Sequence, residues 1–459
     1  MWLDFTAMVG AGKSTLAAAV CKDNEIREYF QERVIYIEVS ESPDLLTILK
    51  TMWKNILDGT APDFTNVPKA HKELQSQIKS RNQPILVVLD DLWSTLHLQN
   101  LLFEETQYKT LVTTRDREVI TKGPNTRIYE LPLLQQEHAL SLFCHYAFDK
   151  PSIPIGRDKE LVENVQQQCN GLPLALKVIG SSLYGKSDCD WEQAEKRLSA
   201  GGPFNDDHKQ SLLNKLKTSI VVLDDHEREC FLDLGAFPQR KMIPAKALLD
   251  IWVYVREMKS AQAKMLLGKF ADRHLLELKK NTGTSETTDD SMDGYSVSQH
   301  DVMRDLALFL VNQDISIHRR RLYMPKMKNQ LPSELDDFSS KAHIVSIHTG
   351  AMEDSQWPKM EFPKAKALVL CFTASEYCIP TFLHTMKNLR VLIIHNTDGA
   401  KRSKLSGVAG FEQLSQLKSL HLERLIVPEE CKVSKSLEKI YMSLCEGLDR
   451  DKTFDFPGL

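Results

Sequence analysis

The chain has 459 residues, 42% of them hydrophobic and 26% charged, with a formal net charge of −4. That length exceeds a single hydrophobic core and predicts about three domains, while so small a charge excludes a global pull toward nucleic acid or anionic membrane. Nine cysteines without C-x-x-C spacing point to reduced thiols in the cytosol or nucleus, the start Met1-Trp2-Leu3-Asp4 is not a signal peptide, and no apolar run is long enough to span a bilayer.

The first element is an apolar strand, Trp2 to Met8, that turns through Gly10-Ala11-Gly12-Lys13-Ser14-Thr15 into a helical pattern from Leu16 to Cys21. A strand turning sharply through glycines into a helix aims backbone N–H groups and the positive helix end at one spot, where a polyphosphate fits. Gly10 to Thr15 is therefore the candidate phosphate cradle. Lys13 is expected to reach the β- and γ-phosphates and Ser14 to hold Mg²⁺ through its hydroxyl. The motif ordinarily has glycine where this chain has Ala7, and alanine tolerates left-handed backbone poorly, so a distorted loop of reduced affinity is expected. The chain also opens almost on this strand, which suggests either a lost N-terminal domain or a start placed too late.

Val34 to Val39 reads as a second strand and Leu45 to Leu57 as an amphipathic helix, while Ile78 to Asn82 ends another helix before Pro84. Ile85 to Leu89 is an unbroken β-branched and leucine run that suits a parallel strand covered on both faces. Its end, Asp90-Asp91, lies where ligands collect in an open α/β sheet. Asp90 is the expected Mg²⁺ partner, usually through water, and Asp91 the residue that orients an attacking water; the alternative is a pair of helix-capping aspartates. Lys109 to Arg115 is a further strand. It brings the Arg115 guanidinium to the same crevice for a terminal phosphate, unless Arg115 is a surface arginine in an ion pair.

From Gln135 to Gly180 the pattern is helical, and Gly171, as a helix C-cap two residues before Pro173, marks a tight corner that on its own is equally a structural feature. Leu213 to Leu223, Ala247 to Trp252 and Phe270 to Leu278 read as helices. A polar loop, Asn281 to Asp293, leads to Tyr295-Ser296-Val297 and Gln299 to Ala307. Helices followed by a hairpin with a polar tip resemble a winged helix. A DNA-binding P-loop ATPase is therefore a rival, weakened by the mixed charge and by Asp289, Asp290 and Asp293 in the wing. Ile317-His318-Arg319-Arg320-Arg321 reads as a solvated linker face ahead of a nuclear signal.

From Ala342 an L-x-x-L-x-L pattern recurs: Ala342, Val345, Ile347; Ala365, Leu368, Leu370; Leu389, Leu392, Ile394; Leu417, Leu420, Leu422; Leu437, Ile440, Met442, Cys445. Their first positions lie 23, 24, 28 and 20 residues apart, in or near the range of leucine-rich repeats. Each such unit buries its apolar side only by stacking on the next. With no polar capping repeat before Leu459, the solenoid reads as cut short.

These pieces in this order resemble plant intracellular immune receptors of the nucleotide-binding (NB-ARC), leucine-rich-repeat family, over nearly the whole chain. The residues that carry the resemblance are Gly10 to Thr15, Leu86 to Trp93 (L-V-V-L-D-D-L-W), Thr113-Thr114-Arg115, Gly171 to Ala175 (G-L-P-L-A), Phe231 to Pro238 and Gln299-His300-Asp301. Most of the family has Met-His-Asp at the last position; Gln-His-Asp is similar to the helper subgroup, which relays signals from other receptors. The resemblance implies a multidomain chain: a P-loop parallel α/β domain over 1–130, a helical domain over 131–205, a winged helix over 206–325 and incomplete leucine-rich repeats over 340–459.

It also implies a signalling switch more than a turnover enzyme. ADP would be held between the three modules at rest, exchange for ATP would open them and allow oligomerisation, and slow hydrolysis would reset the switch. By position, Gly10, Gly12, Lys13, Ser14 and Thr15 hold phosphates, Ser14 and Asp90 serve Mg²⁺, and Asp91 serves hydrolysis. Arg115 senses the terminal phosphate, Pro173 packs near adenine and His300 contacts the ADP β-phosphate, with a plain core histidine as the alternative. Asp301 would orient that histidine or hold the winged helix in place. The implied partners are other immune receptors or signalling proteins, through the repeats, and further copies of the chain on activation; nucleic acid is not expected. The implied location is the cytoplasm, with the plasma membrane or nucleus as alternatives. A scaffold that only binds proteins through its repeats is the remaining rival.

Overall fold

Five strands form one parallel sheet: β1 (Trp2–Thr6), β2 (Val34–Glu38), β3 (Ile85–Leu92), β4 (Tyr108–Thr114) and β5 (Thr126–Glu130), in the order β2-β3-β4-β1-β5. The computed structural model describes residues 2–39, 43–57, 59–81, 83–114, 119, 126–200, 208–238, 242–280, 292, 294–313, 320–328, 341–358, 360–397, 402–429 and 431–447. By their contacts they divide into two units, Met1–Lys215 and Leu216–Leu459, each described by itself.

In the first unit every residue of β3 is buried, which is why its sequence runs apolar without alternation. One face packs Leu86 and Val88 with Leu111 under Ala17 of the helix Lys13–Lys22. The opposite face packs Val87 and Leu89 against Leu49, Met52 and Ile56 of the helix Leu45–Leu57 and Leu74 and Ile78 of the helix Val67–Arg81. Strand β5 had no sequence signal because it is polar, and its residues 127–130 are exposed at the sheet edge. Four helices follow, Gln136–Phe148, Lys159–Gln167, Pro173–Leu183 and Asp188–Ala200. The third is buried from Leu174 to Leu176 and again from Val178 to Leu183, so it serves as the core of this layer.

The second unit begins with helices that include Asp225–Asp233, Ala245–Tyr254, Ser260–Asp272 and Asp301–Gln313. They surround a small antiparallel sheet of β6 (Ile243–Pro244), β7 (Glu277–Lys280) and β8 (Tyr295–Ser298), in the order β6-β8-β7. Asp289, Asp290 and Asp293, expected in the wing, lie outside the described residues. Phe270 to Leu278 is not one helix, as the spacing of its apolar residues predicted. Its helix ends at Asp272, His274 takes the left-handed conformation (φ 56), and Leu275 N–H bonds Phe270 O at 2.9 Å while His274 N–H bonds Ala271 O at 2.9 Å. That is a Schellman closure, with Leu275 and Phe270 both buried. The helical period therefore ran on through a turn into β7.

The repeats supply β9 (Arg321–Lys328), β10 (Ile344–Thr349), β11 (Ala367–Phe372), β12 (Glu376–Cys378), β13 (Val391–Asn396), β14 (Ser403–Ser406), β15 (Ser419–Glu423), β16 (Leu425–Ile426) and β17 (Lys439–Ser443). One parallel sheet runs β17-β15-β13-β11-β10-β9, and a second runs β12-β14-β16. The leucine-type positions of the first four repeats, and Leu437 of the fifth, are buried together, with Ile440, Met442 and Cys445 packed against them.

The basic cluster is corrected at Arg321. Ile317, His318 and Arg319 lie outside the described residues and Arg320 is exposed, but Arg321 opens β9 with its side chain fully buried. It donates to Asp233 Oδ1 at 2.9 Å and to Glu229 Oε2 at 2.9 Å, while Arg256 donates to Asp233 Oδ2 at 2.9 Å. Two guanidiniums facing two carboxylates allow this charge to leave water. The repeat sheet thereby starts one strand before the first leucine pattern.

Candidate nucleotide-binding site

After β1 the chain passes through Ala7 to Gly12 and enters the helix at Lys13. Gly10 (φ 84) and Gly12 (φ 95) take the left-handed conformations the turn needs, whereas Ala7 is not among the positive-φ residues. The expected distortion at Ala7 is therefore absent, because the left-handed positions fall on the two glycines. Gly12 O accepts the Leu16 N–H at 2.9 Å, and the first helical turn carries no acidic residue, so its N–H groups face the loop without a competing negative charge. Lys13 is 8% exposed, and its ammonium donates to Ala7 O at 2.7 Å and Met8 O at 3.1 Å. Ser14 is half-buried, Thr15 is exposed, and Ala11 is buried.

The corner at Gly171 packs on this loop. Leu174 N–H donates to Gly10 O at 3.2 Å, and a Cβ on Gly10 would stand 3.0 Å from Leu174 Cβ. Pro173 is the first helical residue, its Cγ 4.0 Å from where a Cβ on Gly12 would lie. Gly171 (φ 65) is required in turn, because a Cβ there would fall 2.3 Å from Leu134 O. Leu172, a member of the G-L-P-L-A motif, and Leu134, which carried no sequence signal of its own, complete this contact.

Asp90 and Asp91, 2% and 3% exposed, end the regular part of β3. The pairing of β3 with β4 shifts register between Leu89 and Leu92, and Asp91 is left-handed (φ 58) at this bulge. Asp90 Oδ2 accepts from Tyr36 Oη at 2.7 Å and Oδ1 accepts from the Thr113 hydroxyl; Asp91 Oδ2 accepts from Trp93 Nε1 at 2.6 Å. Neither aspartate caps a helix, since Ser94 is the N-cap of the next one, Thr95–Leu101. Burial pushes the Cys21 thiol up, and although Arg27 opposes this, Asp90 adds to it, so the helix that begins at Lys13 lies within the field of that carboxylate. Tyr36 and Trp93 are side chains the sequence singled out only as members of a strand and a motif.

The glycine loop, Lys13, Pro173, Asp90 and Asp91 all belong to the first unit, where the loop and the Pro173 corner are in contact. Arg115 lies outside the described residues. His300 belongs to the second unit and is an exposed helix N-cap, not a core histidine. Its Nδ1 accepts the Val302 N–H at 3.2 Å and its carbonyl accepts the Met303 N–H at 2.8 Å. An accepting Nδ1 leaves the proton on Nε2, so the neutral ring presents a donor. Asp301, the next residue, is 2% exposed.

Residues 1–153 match the NB-ARC domain. Three Arabidopsis thaliana relatives bear names as disease resistance proteins. One is 38% identical over 461 residues, covering 99% of this chain and 54% of the relative. A second is 36% identical over 451 residues, covering 97% of this chain and 70% of the relative. The chain belongs to the plant NB-ARC disease resistance proteins. The third, Disease resistance protein ADR1, is 35% identical over 447 residues, covering 96% of this chain and 53% of its own length. The chain spans about half the length of the first and third of these family members. The NB-ARC match implies that the chain binds a nucleotide. Among the described residues no helix is long and apolar enough to cross a membrane.

Proposed function

We infer that the chain is the nucleotide-switch portion of an immune receptor of the helper type, with ADP and ATP as its ligands. The observation that carries this is the contact of the Pro173 corner with the Gly10 loop. It makes the phosphate cradle a joint product of the sheet and the helical layer. The donor set suits a polyphosphate: two left-handed glycines, an acid-free helix start and a buried ammonium. It also suits Mg²⁺, which is held by one or two protein oxygens plus substrate phosphates; Ser14 and Asp90 are those oxygens. When bound, Mg²⁺ neutralises charge between the terminal phosphates.

The chain's own residues divide the work. Gly10, Ala11, Gly12, Lys13, Ser14 and Thr15 hold phosphates, Pro173 flanks the base, Arg115 reads the terminal phosphate and Asp91 orients water for a slow hydrolysis that resets the switch. By its place in the Gln-His-Asp motif, His300 is the residue assigned to the ADP β-phosphate. The domain division is a nucleotide-binding module to about residue 130, a helical module to about 205 and a winged helix from about 206, with the repeat sheet starting at Arg321. The Gln299-His300-Asp301 motif supports the helper assignment, and relay to other signalling proteins and self-assembly follow from it.

Chromatography of nucleotide released from purified protein is expected to yield ADP, and Lys13→Arg to yield little or none. Wild-type protein that neither carries nor binds ADP or ATP would sink the assignment and leave the protein-binding scaffold.

A further inference from the structure

The acidic pair is held by hydroxyls from the two strands that flank β3. Thr113 in β4 is 1% exposed. Its single Oγ1 accepts the Asp91 N–H at 2.8 Å and donates to Asp90 Oδ1. Since a lone pair takes the N–H, the O–H proton is free to turn to the carboxylate, which fixes the sense of both bonds. From the other side, Tyr36 in β2 donates to Asp90 Oδ2 at 2.7 Å. Each oxygen of Asp90 thus has one neutral donor from a different neighbouring strand. A carboxylate has about four lone-pair sites, so room remains for water or for a metal-bound water. Neutral donors also orient the carboxylate without cancelling its charge, as an arginine would.

The same threonine spans the kink. Where the β3–β4 register slips, Thr113 takes the Asp91 N–H, and Thr114 Oγ1 donates to Leu92 O at 2.8 Å. Two adjacent hydroxyls therefore satisfy backbone groups at the point where the ladder is interrupted. They hold Asp91 in its left-handed conformation, which re-aims its side chain from the regular alternation of a strand. Trp93 Nε1 then fixes that carboxylate at 2.6 Å.

We propose that Thr113 is a positioning residue for the acidic pair, its one hydroxyl setting the Asp90 carboxylate toward magnesium and the Asp91 backbone at the kink, with Tyr36 as the second clamp on Asp90. This rests on the nucleotide assignment above. The test is calorimetric ADP binding to the full chain, in MgCl₂ and in EDTA, for wild type, Thr113→Val, Thr113→Ser and Tyr36→Phe. Valine keeps the shape and removes the hydroxyl, and loss of such an outer partner lowers metal affinity about 10–100-fold. Thr113→Val should lose about tenfold or more of its affinity in MgCl₂, keep its affinity in EDTA, and regain the loss as Thr113→Ser. Tyr36→Phe should lose about two- to tenfold, again only in MgCl₂. Because Tyr36 is 41% exposed, this variant keeps the fold and carries the test should Thr113→Val not fold. If magnesium strengthens wild-type binding but neither variant weakens it, or if both lose equally in EDTA, the proposal fails and the nucleotide assignment stands. If magnesium has no effect on wild type, the placement of Asp90 fails and takes the proposal with it.

Discussion

Replacing Gly10 with alanine tests whether the phosphate loop is locked to the Pro173 corner. Gly10 has φ 84, and its new Cβ would stand 3.0 Å from Leu174 Cβ and 3.2 Å from Leu174 Cδ2. A left-handed alanine costs about 1–2 kcal/mol, and an overpacked buried contact adds about 1–3 kcal/mol. Gly10→Ala is thus expected to lose about 2–5 kcal/mol. Gly156 isolates the first part: its φ is 90 and a Cβ there meets nothing within 4 Å, so Gly156→Ala should lose only about 1–2 kcal/mol. Gly171→Ala is the extreme, since its Cβ would fall 2.3 Å from Leu134 O and the backbone itself would have to move. Urea unfolding of the full chain, with midpoints compared at a common slope, should rank the losses Gly156→Ala, Gly10→Ala, Gly171→Ala. ADP affinity should fall in Gly10→Ala and hold in Gly156→Ala. Equal losses of stability at positions 10 and 156 would refute the packing of Leu174 on the loop.

In the second unit, Asp233 is fully buried and bonds both Arg256 and Arg321, so Asp233→Ala leaves these two guanidiniums with Glu229 as their one carboxylate partner among the described residues. Breaking such a group is expected to cost about 3–5 kcal/mol, read from chemical denaturation; a cost near that of a surface change would contradict the buried ion cluster. Acid should weaken the same unit. Burial holds His421 below its ordinary 6.5 although Asp250 opposes this, and His421 Nδ1 has no hydrogen-bond partner among the described residues to receive a proton's bond. The folded state therefore prefers the neutral ring, so its stability is full above 6.5 and declines as pH falls below it. Burial works against the Asp250 charge too, yet bonds from His421, Ser419 and Lys439 hold its carboxyl below 3.8, which adds a second loss in the same direction at lower pH. Urea midpoints taken from about pH 8 to about pH 5 should decline in wild type and flatten in His421→Gln; parallel declines would remove His421 as the cause.

Much of this protein was written in short-range pattern. The L-x-x-L-x-L residues point into the solenoid because alternation and stacking leave them no other apolar place, and β3 reads as a double-faced strand because all its residues are buried. Gly10, Gly12 and Lys13 lie at one turn because sequence neighbours make that turn. The errors arose where local pattern and tertiary contact part. The period of Phe270 to Leu278 ran through a Schellman turn, and Arg321, basic among basic neighbours, found two carboxylates in the helix Asp225–Asp233.

What only the fold decided is pairing across distance. Nothing near Asp90 in the chain names Tyr36 or Thr113, which are 54 and 23 residues away and reach it from adjoining strands. Nothing near Gly171 names the Leu134 carbonyl that forbids a side chain there. Periodicity records which face of an element is buried, whereas strand order and register decide what that face meets; a hydroxyl or a carbonyl acquires its partner only when the sheet closes.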